Sequence, residues 1–196
     1  MKYKNIVFDF GNVIGTFDPD YILGQFCDDK ADFPILSKAI YQDWVELDAG
    51  TLEYEKGVEL AIARVPTRLK PTLERFFKDW YKHLTPLLQT WDFVHELKSR
   101  GVPIYLLSNA PQYFADHADF YEIMHELDGG LFSGAVKLAK PDPAIYQLFF
   151  KTFDLNPKEC FFLDDRIDNI NAAKACGMDG MVYTGDVDAV KKAVGF

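Results

Sequence analysis

Residues 4–20 of the chain, KNIVFDFGNVIGTFDPD, carry the strongest indication of the fold. An apolar run over residues 6–10 contains one acid, Asp9, and is followed at once by Gly11 and Asn12. A short apolar run that ends at a turn signal is typical of a buried strand in a parallel sheet. Open parallel sheets bind their ligands beyond the carboxyl ends of the strands. The stretch therefore predicts a buried strand whose end presents the Asp9 carboxylate to a ligand.

Three more short apolar runs end at a polar residue or a glycine and are predicted strands: residues 104–107, 161–163 and 181–183. Segments with helical signals lie among them, including residues 141–153 and 168–177. Alternation of strands and helices indicates a parallel sheet that helices cover on both faces. The predicted fold class is therefore α/β, with a Rossmann-like three-layer core.

A further helix is predicted in residues 85–101, TPLLQTWDFVHELKSRG. Thr85 is a candidate N-cap, Pro86 occupies the first helical position, and Gly101 is a stop signal. The apolar residues of this segment recur at helical spacing, at Leu87, Trp91, Val94 and Leu97.

The first two predicted strands are separated by far more residues than one crossover connection needs. Several amphipathic segments with few β-branched runs fill the gap, so we predict an inserted helical cap. The predicted domains are an α/β core of residues 1–16 and 85–196 and a cap of residues 17–84. Residues 117–142 show no clear division into elements.

The bulk properties of the chain exclude several classes of protein. A length of 196 residues is enough for one substantial core with a small inserted subdomain. A net charge of −9 argues against a nucleic-acid partner, because nothing in it would replace the counterions of a phosphate backbone. Three cysteines without a close pair are typical of a reducing compartment, and no apolar run is long enough to cross a membrane. We therefore expect a cytoplasmic protein with a small-molecule ligand.

Six polar residues follow predicted strands or precede a predicted helix, and we expect them in one crevice: Asp9, Ser108, Asn109, Lys140, Asp164 and Asp165. This set suits phosphoryl transfer assisted by Mg²⁺, which prefers hard oxygen ligands. A carboxylate can attack phosphorus to form an acyl-phosphate, which splits one difficult step into two. Hydroxyl, amide and ammonium groups can hold the phosphoryl oxygens and offset their charge.

Each of these residues also has an ordinary structural explanation. Asp9 could be a turn or capping residue, and one of Asp164 and Asp165 could be the N-cap of the following helix. Lys140 by itself would be a solvated surface lysine. The combination of all of them at strand ends favours the functional interpretation.

Four motifs in sequence order make the chain resemble the haloacid dehalogenase superfamily of hydrolases over essentially its full length. They are DFGNV at residues 9–13, SNAP at 108–111, Lys140 within KLAKPDPAIY, and FFLDDRIDNINAAKACG at 161–177. The insertion after the first motif matches the position of the cap in the subfamily with an α-helical cap. Residues 44–57, WVELDAGTLEYEKG, look like a cap segment common in that subfamily. Within it, the chain most resembles sugar-phosphatase-like members of the α-glucose-1-phosphate phosphatase type.

The resemblance implies a role for each matching residue. Asp9 would be the nucleophile and a Mg²⁺ ligand, steadied by Lys140. Asp165 would be a second direct ligand, the backbone carbonyl of Gly11 a third, and Asp164 would lie outside the ligands or bind through water. The transferring phosphoryl group would be bound by Ser108, Asn109 and Lys140.

The chain departs from the family pattern at Gly11. Phosphatases of the family usually have a second Asp there, which protonates the leaving group and later activates water. Such acid–base catalysis is worth roughly 10²–10⁴-fold in rate. Three explanations stay open: a leaving group that needs little protonation, such as the anomeric oxygen of a sugar 1-phosphate; a substitute residue from the cap; or a slow or inactive enzyme.

We therefore predict a Mg²⁺-dependent phosphatase that hydrolyses a small phosphorylated metabolite, such as a hexose 1-phosphate, through an aspartyl-phosphate on Asp9. One alternative is a haloacid dehalogenase, whose nucleophilic Asp attacks carbon. The pair Asp164 and Asp165 argues against it, because a dense negative pair would repel a carboxylate substrate. The other alternative is a weakly active regulatory protein that binds a phosphate ligand.

Overall fold

The computed structural model describes all 196 residues and contains two sheets. The strands are β1 (Asn5–Phe8), β2 (Gly15–Thr16), β3 (Thr85–Pro86), β4 (Ile104–Ser108), β5 (Gly129–Phe132), β6 (Cys160–Asp164) and β7 (Asp179–Val182). Five of them form a parallel sheet in the order β5-β4-β1-β6-β7, with β1 at its centre. The other two, β2 and β3, form an antiparallel ribbon.

Eleven α-helices surround the sheet. They are α1 (Pro19–Gly24), α2 (Phe33–Tyr41), α3 (Trp44–Asp48), α4 (Tyr54–Ala63), α5 (Lys70–Asp79), α6 (Leu88–Ser99), α7 (Gln112–His117), α8 (Ser133–Val136), α9 (Pro143–Thr152), α10 (Ile167–Ala175) and α11 (Val187–Val194). Helices α1 to α5 all lie between β2 and β3, whereas α6 to α11 are interspersed with the strands of the large sheet. None of them combines the length and apolar character that a bilayer crossing requires.

Successive residues of β1 pack into different hydrophobic clusters. Ile6 and Phe8 belong to a cluster that includes α6, α11 and the helices between β2 and β3. Val7 belongs to a second cluster, formed with α9 and α10. Since successive side chains of a strand point to opposite faces, the sheet lies between two layers of helices. The predicted α/β class with a parallel three-layer core is confirmed.

The start of the helix predicted in residues 85–101 is wrong. Thr85 and Pro86 form β3, which pairs with Thr16 and Gly15 of β2, and α6 begins only at Leu88. The backbone N–H of Leu87 continues this ribbon by donating to the carbonyl of Ile14, at 3.0 Å. Pairing with a distant segment therefore outweighs the local capping signal.

The edge strand β5 lies in residues 117–142, which the sequence left undivided. Its sequence, GGLF, begins with two glycines, which have little preference for strands. The strand is therefore stabilised by its pairing with β4 and not by local strand propensity.

The helices α1 to α5 pack around an aromatic interior that includes Trp44, Phe76 and Trp80. This interior is continuous with the cluster beneath β1, so the insertion and the sheet share one core. The ribbon of β2 and β3 lies at both predicted domain boundaries. The division into a core of residues 1–16 and 85–196 and a cap of residues 17–84 stays a prediction, and we call residues 17–84 the cap below.

The cap contacts the core a second time, at a latch formed by Asp48, Gly50, Ser133 and Gly134. The buried hydroxyl of Ser133 donates to the Asp48 carbonyl and accepts from the backbone N–H of Ala110, at 2.9 Å. Gly50 has a φ of +67°, and a Cβ there would lie 2.5 Å from the Gly134 carbonyl oxygen. The absence of a side chain at Gly50 therefore allows the cap backbone to approach the core backbone.

We expect Gly50→Ala to destabilise the protein more than Gly101→Ala does. Both glycines have a positive φ, which costs an alanine about 1–2 kcal/mol, but a Cβ at Gly101 would meet nothing within 4 Å. The clash with Gly134 should add roughly 1–3 kcal/mol at Gly50. Urea unfolding of the two variants measures this difference, and equal losses would contradict the close contact.

Candidate active site

The carboxyl ends of β1, β4 and β6 open into a cavity of about 440 Å³ that the cap covers. Its floor is polar and includes the predicted site residues Asp9, Gly11, Ser108, Asn109, Lys140 and Asp165. Its cap wall is mostly apolar and includes Phe17, Trp44, Trp80 and Leu84. The predicted site residues therefore lie together at the carboxyl ends of the strands, as expected for a parallel sheet. Asp164, the last residue of β6, lies directly behind them.

Lys140 links two carboxylates at the floor of this cavity. Its ammonium lies 3.0 Å from Oδ1 of Asp9 and 2.6 Å from Oδ2 of Asp164, and it donates to the Leu107 carbonyl at 2.8 Å. Only 4% of Lys140 is exposed. An unpaired ammonium would be very costly at this depth, so the three partners explain how the charge is tolerated.

Asp164 is fully buried and both of its oxygens are occupied. Oδ1 accepts from the backbone N–H of Arg166 at 2.8 Å, and the Asn169 amide donates to both oxygens at 3.0 Å. With Lys140 as a further donor to Oδ2, this carboxylate is held in one orientation. Its geometry suits positioning of Lys140 better than direct contact with a ligand.

Asp9 is buried at the end of β1 and titrates in an unusual range. Burial raises the pKa of Asp9 to about 6, the Lys140 ammonium opposes this rise, the nearby charge of Asp164 adds to it, and the hydroxyl of Ser108 opposes it. Oδ1 also accepts from the backbone N–H of Phe10 at 2.7 Å. The neighbouring cation and donors orient the carboxylate toward the cavity.

The acidic residues of the floor fit a divalent cation. Oxygen atoms of Asp9, Asp164 and Asp165 lie within 4.8 Å of one another, and one ammonium, that of Lys140, offsets three carboxylates. Asp165 accepts through Oδ2 from the Asn12 amide at 2.9 Å, which leaves Oδ1 available. The Gly11 carbonyl accepts no hydrogen bond from the protein. An excess of carboxylates with free oxygen donors suits Mg²⁺.

The side chain of Asn109 is hydrogen-bonded at both ends to the backbone of Lys140. Its Oδ1 accepts from the backbone N–H of Lys140 at 2.8 Å, and its Nδ2 donates to the Lys140 carbonyl at 2.9 Å. Both ends of the amide are therefore committed to the segment that presents Lys140. Phosphoryl binding by Asn109, together with the roles assigned to Ser108 and Lys140, stays a prediction.

The polar residues of the site that the sequence did not single out include Asn12, Asn169 and Asp48. Asn12 has a φ of +57°, and its amide connects Asp165 to the backbone N–H of Phe17 at the start of the cap. Asn169 is buried against Asp164, and Asp48 belongs to the cap wall. A signal existed for Asn12, because Asn after Gly in a turn favours a left-handed backbone. No local sequence pattern marked Asn169 or Asp48 as a site residue.

Comparison with known proteins identifies the family. A family model described as haloacid dehalogenase-like hydrolase matches residues 3–177. The chain belongs to this family of hydrolases. The four motifs and the fold are thus accounted for together.

Several members of the family resemble this hydrolase over most of its length. A sesquiterpene phosphatase of Aspergillus oryzae is 26% identical over 194 residues, covering 93% of this chain and 90% of its own. A D-ribitol-5-phosphate phosphatase of Bacteroides thetaiotaomicron is 28% identical over 190 residues, with 90% and 89% covered. An (S)-2-haloacid dehalogenase of Pseudomonas putida is 26% identical, with 89% and 81% covered.

Solved structures share the same fold. A haloacid dehalogenase family enzyme of Bacteroides thetaiotaomicron, crystallised as an Asp-to-Ala variant with magnesium and inorganic phosphate, superimposes with a TM-score of 0.75. The alignment covers 96% of this chain and 98% of that enzyme at 19% sequence identity. At this identity the likeness establishes the architecture of the core and the covering helices.

We expect Lys140→Met to destabilise the protein by roughly 3–5 kcal/mol at neutral pH, because it leaves buried carboxylates without their shared cation. The matched control is Lys137→Met, whose exposed side chain pairs with Glu53 and should cost less than about 1 kcal/mol. Denaturant unfolding in metal-free buffer measures both. A loss at Lys140 no larger than that at Lys137 would contradict the bridging role.

The same variant should show a characteristic pH dependence. Without the ammonium, the pKa of Asp9 rises further above the value of about 4 of an unfolded chain. The folded state then binds more protons than the unfolded state and loses stability as the pH rises. The stability difference between Lys140→Met and wild type should therefore be larger at pH 8 than at pH 5.

Proposed function

We propose that the protein is a Mg²⁺-dependent phosphatase that hydrolyses a small phosphorylated substrate through an aspartyl-phosphate on Asp9. The observation that carries this proposal is the floor of the cavity, where a buried carboxylate, an ammonium and a further acidic residue meet at three strand ends. An anionic substrate needs a local positive site in a chain of net charge −9. Lys140 and a bound cation would provide it.

In this mechanism a carboxylate oxygen of Asp9 attacks phosphorus and the bond to the leaving group breaks. Lys140 holds Asp9 in line and offsets charge on the phosphoryl oxygens, assisted by Ser108, while Asn109 holds the Lys140 backbone in place. Water then attacks the acyl-phosphate, which releases inorganic phosphate and restores Asp9. Mg²⁺, held by Asp9, Asp165 and the Gly11 carbonyl with Asp164 behind them, would supply positive charge to the phosphoryl group.

The substrate class has two candidates. The first is a sugar phosphate such as a hexose 1-phosphate, since its anomeric oxygen leaves with little need of the proton that Gly11 does not supply. The D-ribitol-5-phosphate phosphatase among the relatives supports a small polyol or sugar body.

The second candidate is a phosphate ester with an apolar body, and the cap wall favours it. Phe17, Trp44 and Trp80 of this wall and Phe114 of α7 in the core form a chain of aromatic contacts, with ring centroids 5.0–5.7 Å apart. A sugar would find few polar partners on this wall for its hydroxyls, whereas an apolar chain would bury surface against it. The sesquiterpene phosphatase among the relatives supports the same class.

The dehalogenase alternative is favoured by one relative and opposed by the charge of the floor. A 2-haloacid carries its own carboxylate, and the excess negative charge around Asp165 would repel it. A cation bound there would not be needed to displace halide from carbon.

We expect purified protein to release phosphate from p-nitrophenyl phosphate with Mg²⁺ and to lose this activity with EDTA or in Asp9→Asn. The matched control is Asp188→Asn, an exposed acid on α11, which should retain wild-type turnover. Turnover that persists both in EDTA and in Asp9→Asn would overturn the mechanism.

A substrate panel distinguishes the remaining possibilities. The kcat/KM values for hexose 1-phosphates, ribitol 5-phosphate and isoprenoid monophosphates should rank the two substrate classes, and the apolar wall predicts higher values for the isoprenoid esters. Metal-independent halide release from 2-haloacids would identify a dehalogenase. Metal binding without turnover across the panel would identify a regulatory protein.

A further inference from the structure

Gly11 leaves the proposed phosphatase without a carboxyl group next to its nucleophile, so the proton for the leaving group must come from elsewhere in the cavity. The charged residues of its floor are Asp9, Lys140, Asp165 and Arg166. Asp9 becomes phosphorylated, Asp165 would face the cation, Lys140 is fixed between two carboxylates, and Arg166 does not release a proton in proteins. None of the four is free to exchange a proton with the substrate.

The cap wall contributes one further carboxyl, that of Asp48. This residue ends α3 and lines the same cavity as Asp9, and its side chain has no hydrogen-bond or ion-pair partner in the protein. The rest of the wall is apolar around it, with Trp44, Val45 and Ala49 as its neighbours on the same segment. Asp48 is half-buried, so its carboxyl borders the cavity without a protein partner and is free to interact with a bound ligand.

We propose that Asp48 is the general acid and base of this hydrolase, in place of the missing side chain at Gly11. This proposal rests on the phosphatase function proposed above. In the first step the Asp9 oxygen bonds to phosphorus, the bond to the leaving oxygen breaks, and the Asp48 proton passes to that oxygen. In the second step the water oxygen bonds to phosphorus and gives one proton to Asp48, the bond between phosphorus and the Asp9 oxygen breaks, and phosphate leaves.

The latch between cap and core fixes the backbone of Asp48 relative to the predicted phosphoryl site. Ser133 binds the Asp48 carbonyl and the backbone N–H of Ala110, which is two residues after Ser108. The close approach of Gly50 to Gly134 holds the same segment two residues further along the chain. Proton transfer requires donor and acceptor within hydrogen-bond reach, so this backbone anchoring is the kind of support that a cap residue needs.

The protonation state of Asp48 agrees with the role. Burial raises the pKa of Asp48 well above its usual value, and the neighbouring charge of Asp9 adds to the rise. The carboxyl therefore carries a proton at a pH where an exposed acid would have lost it. A donor of this kind is what the first step requires.

The position of Gly11 offers a direct comparison. A Cβ placed on Gly11 would meet nothing within 4 Å, and its φ is not in the left-handed region. The variant Gly11→Asp is therefore sterically allowed and returns a carboxyl to the floor. If proton transfer is what Asp48 provides, a carboxyl at Gly11 should substitute for it.

The experiment compares leaving groups in the first turnover. In Asp48→Asn with Mg²⁺, release of nitrophenolate from p-nitrophenyl phosphate should slow less than about tenfold, because this leaving group needs no proton. Release of alcohol from an alkyl phosphate should slow by roughly 10²–10⁴-fold. The double variant Gly11→Asp with Asp48→Asn should recover at least tenfold of that loss. The matched control is Glu46→Gln, an exposed acid on the same helix, with wild-type rates on both substrates.

Each alternative result is informative. Equal losses on both leaving groups, or a double variant that recovers nothing, would assign Asp48 a structural role and overturn the proposal. Wild-type rates of Asp48→Asn on the alkyl phosphate would overturn it too, while leaving the phosphatase function intact. A wild-type protein that hydrolyses no phosphate ester would overturn both. Thermal unfolding of each variant separates lost folding from lost chemistry.

Discussion

The ammonium of Lys140, buried between the carboxylates of Asp9 and Asp164, is the interaction on which the rest of the site depends. It draws together the ends of β1 and β6, and through the Leu107 carbonyl it also contacts β4. Asn109 and Asn169 complete the arrangement, since the first holds the Lys140 backbone and the second holds Asp164. In a low-dielectric interior such a group is stable only when every charge has its partner, so the floor is constrained as a unit.

The cap turns this charged floor into an enclosed site. It shares its aromatic interior with the core under β1, and it is held a second time where Ser133 binds the Asp48 carbonyl. The floor is polar and the wall opposite it is largely aromatic, so a phosphoryl group and an apolar body would each find their own environment. Exclusion of water strengthens the electrostatic interactions at the floor.

Because Gly11 has no side chain, the end of β1 carries the proposed nucleophile without the general acid that usually accompanies it. In the proposed mechanism the nucleophile stays on the core, and proton transfer is assigned to Asp48 of the cap, two residues before the contact of Gly50 with Gly134. The rate of proton transfer would then depend on how the cap is seated. A substrate that displaces the cap would lose acid catalysis, so the fit of the leaving group and the chemistry become coupled.

By itself the sequence determined the α/β class, the positions of the main strands and the polar residues at their ends. These features follow from local hydrophobic periodicity and from the rule that parallel strands carry their ligands at one edge. Its helical signals at Thr85 and Pro86 were misleading, because these residues form β3. No local pattern indicated β5, the role of Asp48 or the amide contacts of Asn109. Those features depend on partners far along the chain, such as Ser133, 85 residues from Asp48. Only the tertiary structure decided them, because local patterns carry no information about which distant segments meet.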